Sequence, residues 1–230
     1  FRNEDELVQI RSLMAKIYTK EGKPEHAEKI LTELLHGKLK DCSTRGQLLI
    51  ALGTARRMMG KFREAIDAVE EAISIWEKTG NTKEIATSYN SLGSIFYIQG
   101  DYRKALDYYM RALRIMEDIK FTYGLVSSYL NVGGIYLTTG DYQQAERYYL
   151  KGLEIARQTG DVWKEAMYLN NLGVLNKRLG NLEKAMDYFH TSLRIKRVLE
   201  DTRGIYSTLT NIAGIYFDRE ELEKAEAYFK

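Results

Sequence analysis

The side chains of this 230-residue chain that could do proton, metal or nucleophile chemistry are few and scattered. His26, His36 and His190 stand at no spacing that would join them to one another or to Cys42 around a metal ion. Cys42 is the single cysteine, so no intramolecular disulfide can form, and a reducing cytoplasmic setting is expected. The carboxylate pairs Glu70-Glu71 and Glu220-Glu221 fall on expected solvated helix faces, with nothing to close a pocket around them. No Gly-x-x-x-x-Gly-Lys-Ser/Thr loop follows a strand, so a phosphate cradle is not expected either. Catalysis, a cofactor and a resident metal are therefore not expected. What does recur is polar and uncharged: Ser91, Asn131, Asn171 and Asn211 lie 40 residues apart, with Asn90 and Asn170 one residue before two of them. An amide carries donors and an acceptor. Such a row either binds a peptide backbone or ties neighbouring helices together.

The same spacing organises the whole chain. Gly60, Gly100, Gly140 and Gly180 are 40 apart, Gly22 lies 38 before the first, and Glu220 takes the next position in register. Five residues after each comes alanine (Ala27, Ala65, Ala105, Ala145, Ala185, Ala225), and seven before comes a small residue (Ala15, Gly53, Gly93, Gly133, Gly173, Ala213). Around Gly140, the stretch Tyr129–Leu153 reads as parts of two amphipathic helices with a turn between them, the pair running roughly over Thr122–Thr138 and Tyr142–Gln158. Gly140 is placed to end the first in the left-handed conformation and Asp141 to cap the second. Thr79-Gly80-Asn81 and Thr159-Gly160-Asp161 repeat that stop-then-cap logic between units. A repeat of this length predicts a solenoid, because one helix pair cannot bury both its faces and stacking must supply the core.

Composition agrees. Apolar residues make up 44% of the chain, enough for a large core, and the one proline, Pro24, sits where a helix starts. A net charge of +2 with 29% charged residues is not the basic footprint of a nucleic-acid binder. The longest apolar run, Leu48–Leu52, is far too short for a membrane span. Tyr108-Tyr109 and Tyr148-Tyr149 could stack on bases, but their fixed register points to core packing.

At these positions the chain resembles the tetratricopeptide repeat family. Tyr89, Leu92, Gly93, Phe96, Ala105, Tyr109 and Ala112 fit its pattern, as do Tyr129, Val132, Gly133, Tyr136, Ala145, Tyr149 and Gly152. Leu169, Leu172, Gly173, Ala185, Phe189 and Ser192 fit less fully, because Asn176 replaces the first-helix aromatic; in the second unit Arg56 and Arg57 stand at aromatic positions. The family's usual unit is about 34 residues. The longer spacing is similar to kinesin light chains, Pins-type adaptors and bacterial Rap-type peptide receptors.

The resemblance implies an all-α, right-handed solenoid of antiparallel helix pairs. One domain over 1–230 is expected, with repeats at approximately 4–37, 44–78, 83–118, 122–158, 162–199 and 202–230, the last truncated, and the chain reads as a fragment of a longer protein. The resemblance implies a protein-interaction scaffold whose first helices line a concave groove for a peptide or partner helix. The groove residues carried over are Asn90, Tyr97, Asn131, Asn170, Asn171, Lys177, Arg178 and Asn211, flanked by Lys16, Arg57, Thr87, Ser94 and Phe217. Their cations suit an acidic or carboxylate-bearing peptide. Neither nucleic acid nor membrane insertion is expected, and the oligomeric state is open. The carboxylate clamp of chaperone-tail receptors is not matched: its positions hold Ser12, Ile50, Asn90 and Leu130. The alternative function is the sensor arm of a larger regulator, in which a small effector changes the pitch of the solenoid.

Overall fold

The computed structural model describes residues 2–39 and 41–229; Phe1, Lys230 and Lys40 of the His36–Ser43 connector lie outside the described residues. The described residues form twelve α-helices and no strand. They divide into two compact units, Phe1–Ile119 and Lys120–Lys230.

Unit 1 holds α1 (Arg2–Lys20), α2 (Pro24–His36), α3 (Cys42–Met58), α4 (Phe62–Thr79), α5 (Thr82–Ile98) and α6 (Tyr102–Asp118). Unit 2 holds α7 (Thr122–Thr139), α8 (Tyr142–Thr159), α9 (Val162–Arg178), α10 (Leu182–Val198), α11 (Thr202–Asp218) and α12 (Leu222–Phe229). Within each unit every odd-numbered helix packs antiparallel on the next even-numbered one, and each pair packs on the following pair. The first helices also touch directly, α1 on α3 and α3 on α5 in unit 1, α7 on α9 and α9 on α11 in unit 2. The all-α helix-pair architecture is the expected one. None of the described helices is long and apolar enough to cross a membrane.

Turn chemistry sets the helix ends. Gly140 adopts φ 85°, a conformation L side chains avoid, and Asp141 then accepts from Gln144 N at 3.2 Å. Asp101, Asp161 and Asp201 cap α6, α9 and α11 in the same way. The Lys104 backbone N–H holds the Asp101 carboxyl below its usual range. Asn81 departs from the expected logic: Gly80 stops α4 at φ 71°, but the Asn81 amide donates to Thr79 Oγ1 at 2.7 Å instead of capping α5. Glu220, at the lost glycine, still adopts φ 61°.

The registered small residues are where helices close on one another. The six registered alanines on the second helices are at most 3% exposed. On the first helices, a Cβ at Gly93 would lie 2.6 Å from Tyr109, at Gly133 2.6 Å from Tyr149, and at Gly173 2.5 Å from Phe189. Each glycine thus seats the buried ring of its own pair. Tyr108 and Tyr148 pack differently, half-buried and stacked on Phe96 at 5.4 Å and Tyr136 at 5.6 Å. In the second pair Arg56 takes the ring's place and bonds Glu28 at 3.0 Å, with Lys61 on the other carboxylate oxygen at 2.7 Å. Burial alone would raise the Glu28 pKa, but the bonds from Lys61 and Arg56 outweigh it and hold the pKa low. His26 stacks on Tyr18 at 5.3 Å, a packing role.

Candidate functional site

In unit 1 the first helices α1, α3 and α5 border a recess of about 610 Å³. Its apolar lining is Leu13 and Ile17 from α1, Ile50 and Ala51 from α3, and Trp76 reaching in from α4. Its polar lining is Lys16, Thr19, Lys20, Gln47, Thr54, Glu84 and Thr87. A smaller recess of about 280 Å³ continues between α1 and α3, lined by Ser12, Leu13, Lys16, Thr44 and Gln47 among others.

Helix geometry explains why these residues meet. Leu13, Lys16, Ile17 and Lys20 recur at three- and four-residue intervals, so they share one face of α1. Gln47, Ile50, Ala51 and Thr54 do the same on α3. Leu13 and Ile17 are 58% and 54% exposed, an uncommon display of apolar surface on a packed helix. Trp76 is 1% exposed because its ring lies over Gly46; a Cβ at that glycine would come within 2.4 Å of it. The Trp76 indole N–H is buried and has no hydrogen-bond partner among the described residues.

Of the sequence-predicted residues in unit 1, Lys16 and Thr87 line the recess. Ile50, which removes the chaperone-tail clamp, is part of its apolar wall. Asn90 is half-buried on α5, and Tyr97 is 41% exposed, its ring 5.6 Å from Tyr102. Burial pushes the Tyr109 phenol up to about 12, against a hydrogen bond with Ser94.

In unit 2 two of the amides, Asn170 and Asn211, are drawn into a network between helices. Asn170 Oδ1 on α9 accepts from Thr208 Oγ1 at 3.1 Å and from Asn211 Nδ2 at 3.4 Å, both on α11. Lys196 Nζ on α10 donates to Thr208 Oγ1 at 2.8 Å. Lys177 ion-pairs with Asp218 at 2.9 Å, again joining α9 to α11. Asn170 and Asn211 are therefore bonded to each other across helices. Asn131 and Asn171 are half-buried, and Arg178 is exposed at the end of α9.

Sequence reasoning passed over Gln47, Ala51, Leu13, Ile17 and Trp76 because none belongs to the amide row. The visible signal was the run of large apolar residues on α1 (Ile10, Met14, Ile17), which are exposed, whereas Leu48, Leu52 and Ala55, 38 positions later, are buried. Lys196 was also missed. It is 5% exposed and stands 80 positions after Met116, a fully buried residue. Burial pushes its pKa below 10.5, with the Asp201 carboxylate acting in the opposite sense. Lys196→Met is expected to stabilise the protein by about 1 kcal/mol at neutral pH, since an apolar side chain replaces a buried charge. The unfolded chain binds more protons wherever the folded pKa lies below the unfolded one. Wild-type stability therefore rises as pH climbs through that interval towards 10.5. The gain in the variant should shrink over the same interval; urea titrations at neutral and alkaline pH check both.

The tetratricopeptide repeat model matches residues 44–118 and 124–197, and a PPR repeat model matches residues 12–38. No curated protein matches. Among solved structures, the signal transduction ATPase with numerous domains and a tetratricopeptide repeat sensor from Pyrococcus horikoshii superposes with TM-score 0.79 at 23% identity, over 95% of this chain and 34% of that one. Aspartyl phosphate phosphatase F from Bacillus subtilis superposes with TM-score 0.74 at 19% identity, over 97% and 58%. NprR in complex with its cognate peptide NprX gives TM-score 0.69 at 17% identity, over 96% and 65%. The chain thus spans less than two thirds of each of these three proteins. These likenesses show the fold, and the family match extends over most of the chain in both units. Read with the ring-on-glycine register and the stacked helix pairs, it makes this chain a member of the tetratricopeptide repeat family.

Proposed function

We propose that the chain is a non-enzymatic interaction scaffold that captures a peptide or a partner helix on the faces of its first helices. The observation that carries this reading is the unit 1 recess, where α1, α3 and α5 leave apolar side chains open beside Lys16, Lys20, Gln47 and Glu84. That mixture suits a short peptide, whose side chains need apolar seats and whose backbone needs polar partners. NprR, which shares the fold, is described with a cognate peptide bound. In unit 2 the proposed contacts are Asn131, Asn171 and Arg178, since Asn170, Asn211 and Lys177 have partners within the protein. Asn90 and Tyr97 are proposed contacts on α5. The partner is read as a cytoplasmic protein or peptide, and no nucleic acid or cofactor takes part.

A sensor arm in a larger regulator is the second reading. It is favoured by the likeness to a repeat array described as the sensor of a multidomain ATPase.

Selection of a random peptide library tests the first reading. Selected peptides should bind the wild type and lose at least tenfold in affinity for Thr54→Arg, which fills the recess with a long side chain from a half-buried position. Thr54→Arg must melt like the wild type. Undiminished binding to the variant would place the partner surface elsewhere.

A further inference from the structure

The unit 1 recess is electrically polarised, and its polarity defines what it takes. Lys16 and Lys20 stand on its α1 side and Glu84 on its α5 side, with Ile50 and Ala51 of α3 between them. None of the three charged groups forms an ion pair among the described residues. Three cations outside the recess are paired: Arg45 with Glu71 at 2.8 Å, and Arg56 and Lys61 with the shared Glu28 carboxylate. Lys16, Lys20 and Glu84 therefore lack the partners that Arg45, Arg56 and Lys61 have. The hydroxyls of Thr19 and Thr54 donate to their own helices, at 2.8 and 3.0 Å, so they are available only as acceptors. The buried Trp76 N–H adds a donor without an acceptor in the wall itself.

We propose that the recess binds a short partner segment carrying carboxylates at one end, two large apolar side chains in the middle and a cation at the other end. The carboxylates lie on Lys16 and Lys20, the apolar pair covers Leu13, Ile17, Ile50 and the Trp76 face, and the cation meets Glu84. This rests on the scaffold reading above and gives its partner a charge order. Lysine ammonium groups attract carboxylates as point charges without fixing their angle, so the order of charges rather than a strict motif sets specificity. Exposed charges of this kind act mostly on encounter rate and are screened by salt, whereas the apolar pair governs residence.

The probe is a hexapeptide of two aspartates, two leucines, a serine and a lysine, in that order, made in both chain directions. One control exchanges the charges, with lysines for the aspartates and an aspartate for the lysine. A second replaces both leucines by serine. Binding is read from the two indole N–H signals of the protein, Trp76 in the recess wall and Trp163 on α9 as internal reference. The acidic-end peptide, in at least one chain direction, should move the Trp76 signal and leave Trp163 in place. The charge-exchanged and leucine-free peptides should bind at least tenfold more weakly, and Lys16→Glu with Lys20→Glu should reverse the preference between the two charged peptides. Equal response to both charge orders overturns the proposed partner chemistry and leaves the scaffold reading intact. No response at Trp76, while library-selected peptides bind and lose affinity in Thr54→Arg, also overturns it. If those selected peptides bind Thr54→Arg undiminished, the recess reading fails as well.

Discussion

Gly152→Ala is expected to destabilise the protein by about 1–3 kcal/mol, although alanine is the better helix former by about 1 kcal/mol. A Cβ at Gly152 on α8 would lie 2.0 Å from the Tyr168 hydroxyl and 2.1 Å from its Cζ. Tyr168 cannot step aside. It is fully buried on α9, its hydroxyl donates to Val126 O, and its ring meets Tyr149 edge-on at 6.3 Å. The same register holds Ala72 and Ser88 in unit 1, and Ser192 and Thr208 later in unit 2. A residue with a Cβ is thus matched with a small partner, and glycine with the large one. The effect of Gly152→Ala should therefore change sign in a Tyr168→Ser background, where added volume fills a cavity rather than meeting a ring. Urea unfolding of the four proteins in this cycle measures the coupling. Additive losses would mean that Gly152 and Tyr168 do not form the close contact described.

Trp76→Ala is expected to cost about 3–5 kcal/mol, the range for removing a fully buried large aromatic. Trp76 belongs to the unit 1 core with Leu31, Leu48, Leu52 and Ala72, and its ring fills the space left open by Gly46. Its removal leaves a cavity bounded by α2, α3 and α4 that helix packing cannot readily close. With Trp76 gone, Trp163 is the remaining tryptophan and reports on α9 in unit 2. Far-ultraviolet circular dichroism should show unfolding at lower urea than in the wild type. Trp76→Phe, which keeps a ring, should lose less than half as much. Equal stability of Trp76→Ala and wild type would contradict the packing account.

Much of this architecture is legible in the sequence because it is written six times. Period, turn glycines and registered alanines reinforce one another from unit to unit, and Gly60, Gly100, Gly140 and Gly180 each separate two helices at positive φ. Single-copy features were not legible. Asn81 looks like a cap and is turned to Thr79. Asn176, read only as a missing aromatic, is buried and donates to Leu172 O at 2.8 Å. The recess depends on the side chain of Trp76, which comes from a second helix, and on three first helices whose mutual approach is a tertiary fact. The amide row illustrates the same limit. Its spacing is visible in the chain, but whether an amide meets a neighbour or solvent depends on the facing helix, as Asn170 and Asn211 show by bonding to each other.

The proposed partner site is the recess between α1, α3 and α5. A photo-crosslinking residue placed at Thr87, on the recess wall, should capture a library-selected peptide, and the same residue placed at the exposed Glu70 of α4 should not. Mass spectrometry of the product reads which position reacted. Crosslinking from Thr87 alone, abolished by excess unlabelled peptide, is the predicted result. Crosslinking from Glu70 with none from Thr87 would contradict the account and move the binding surface to the second helices.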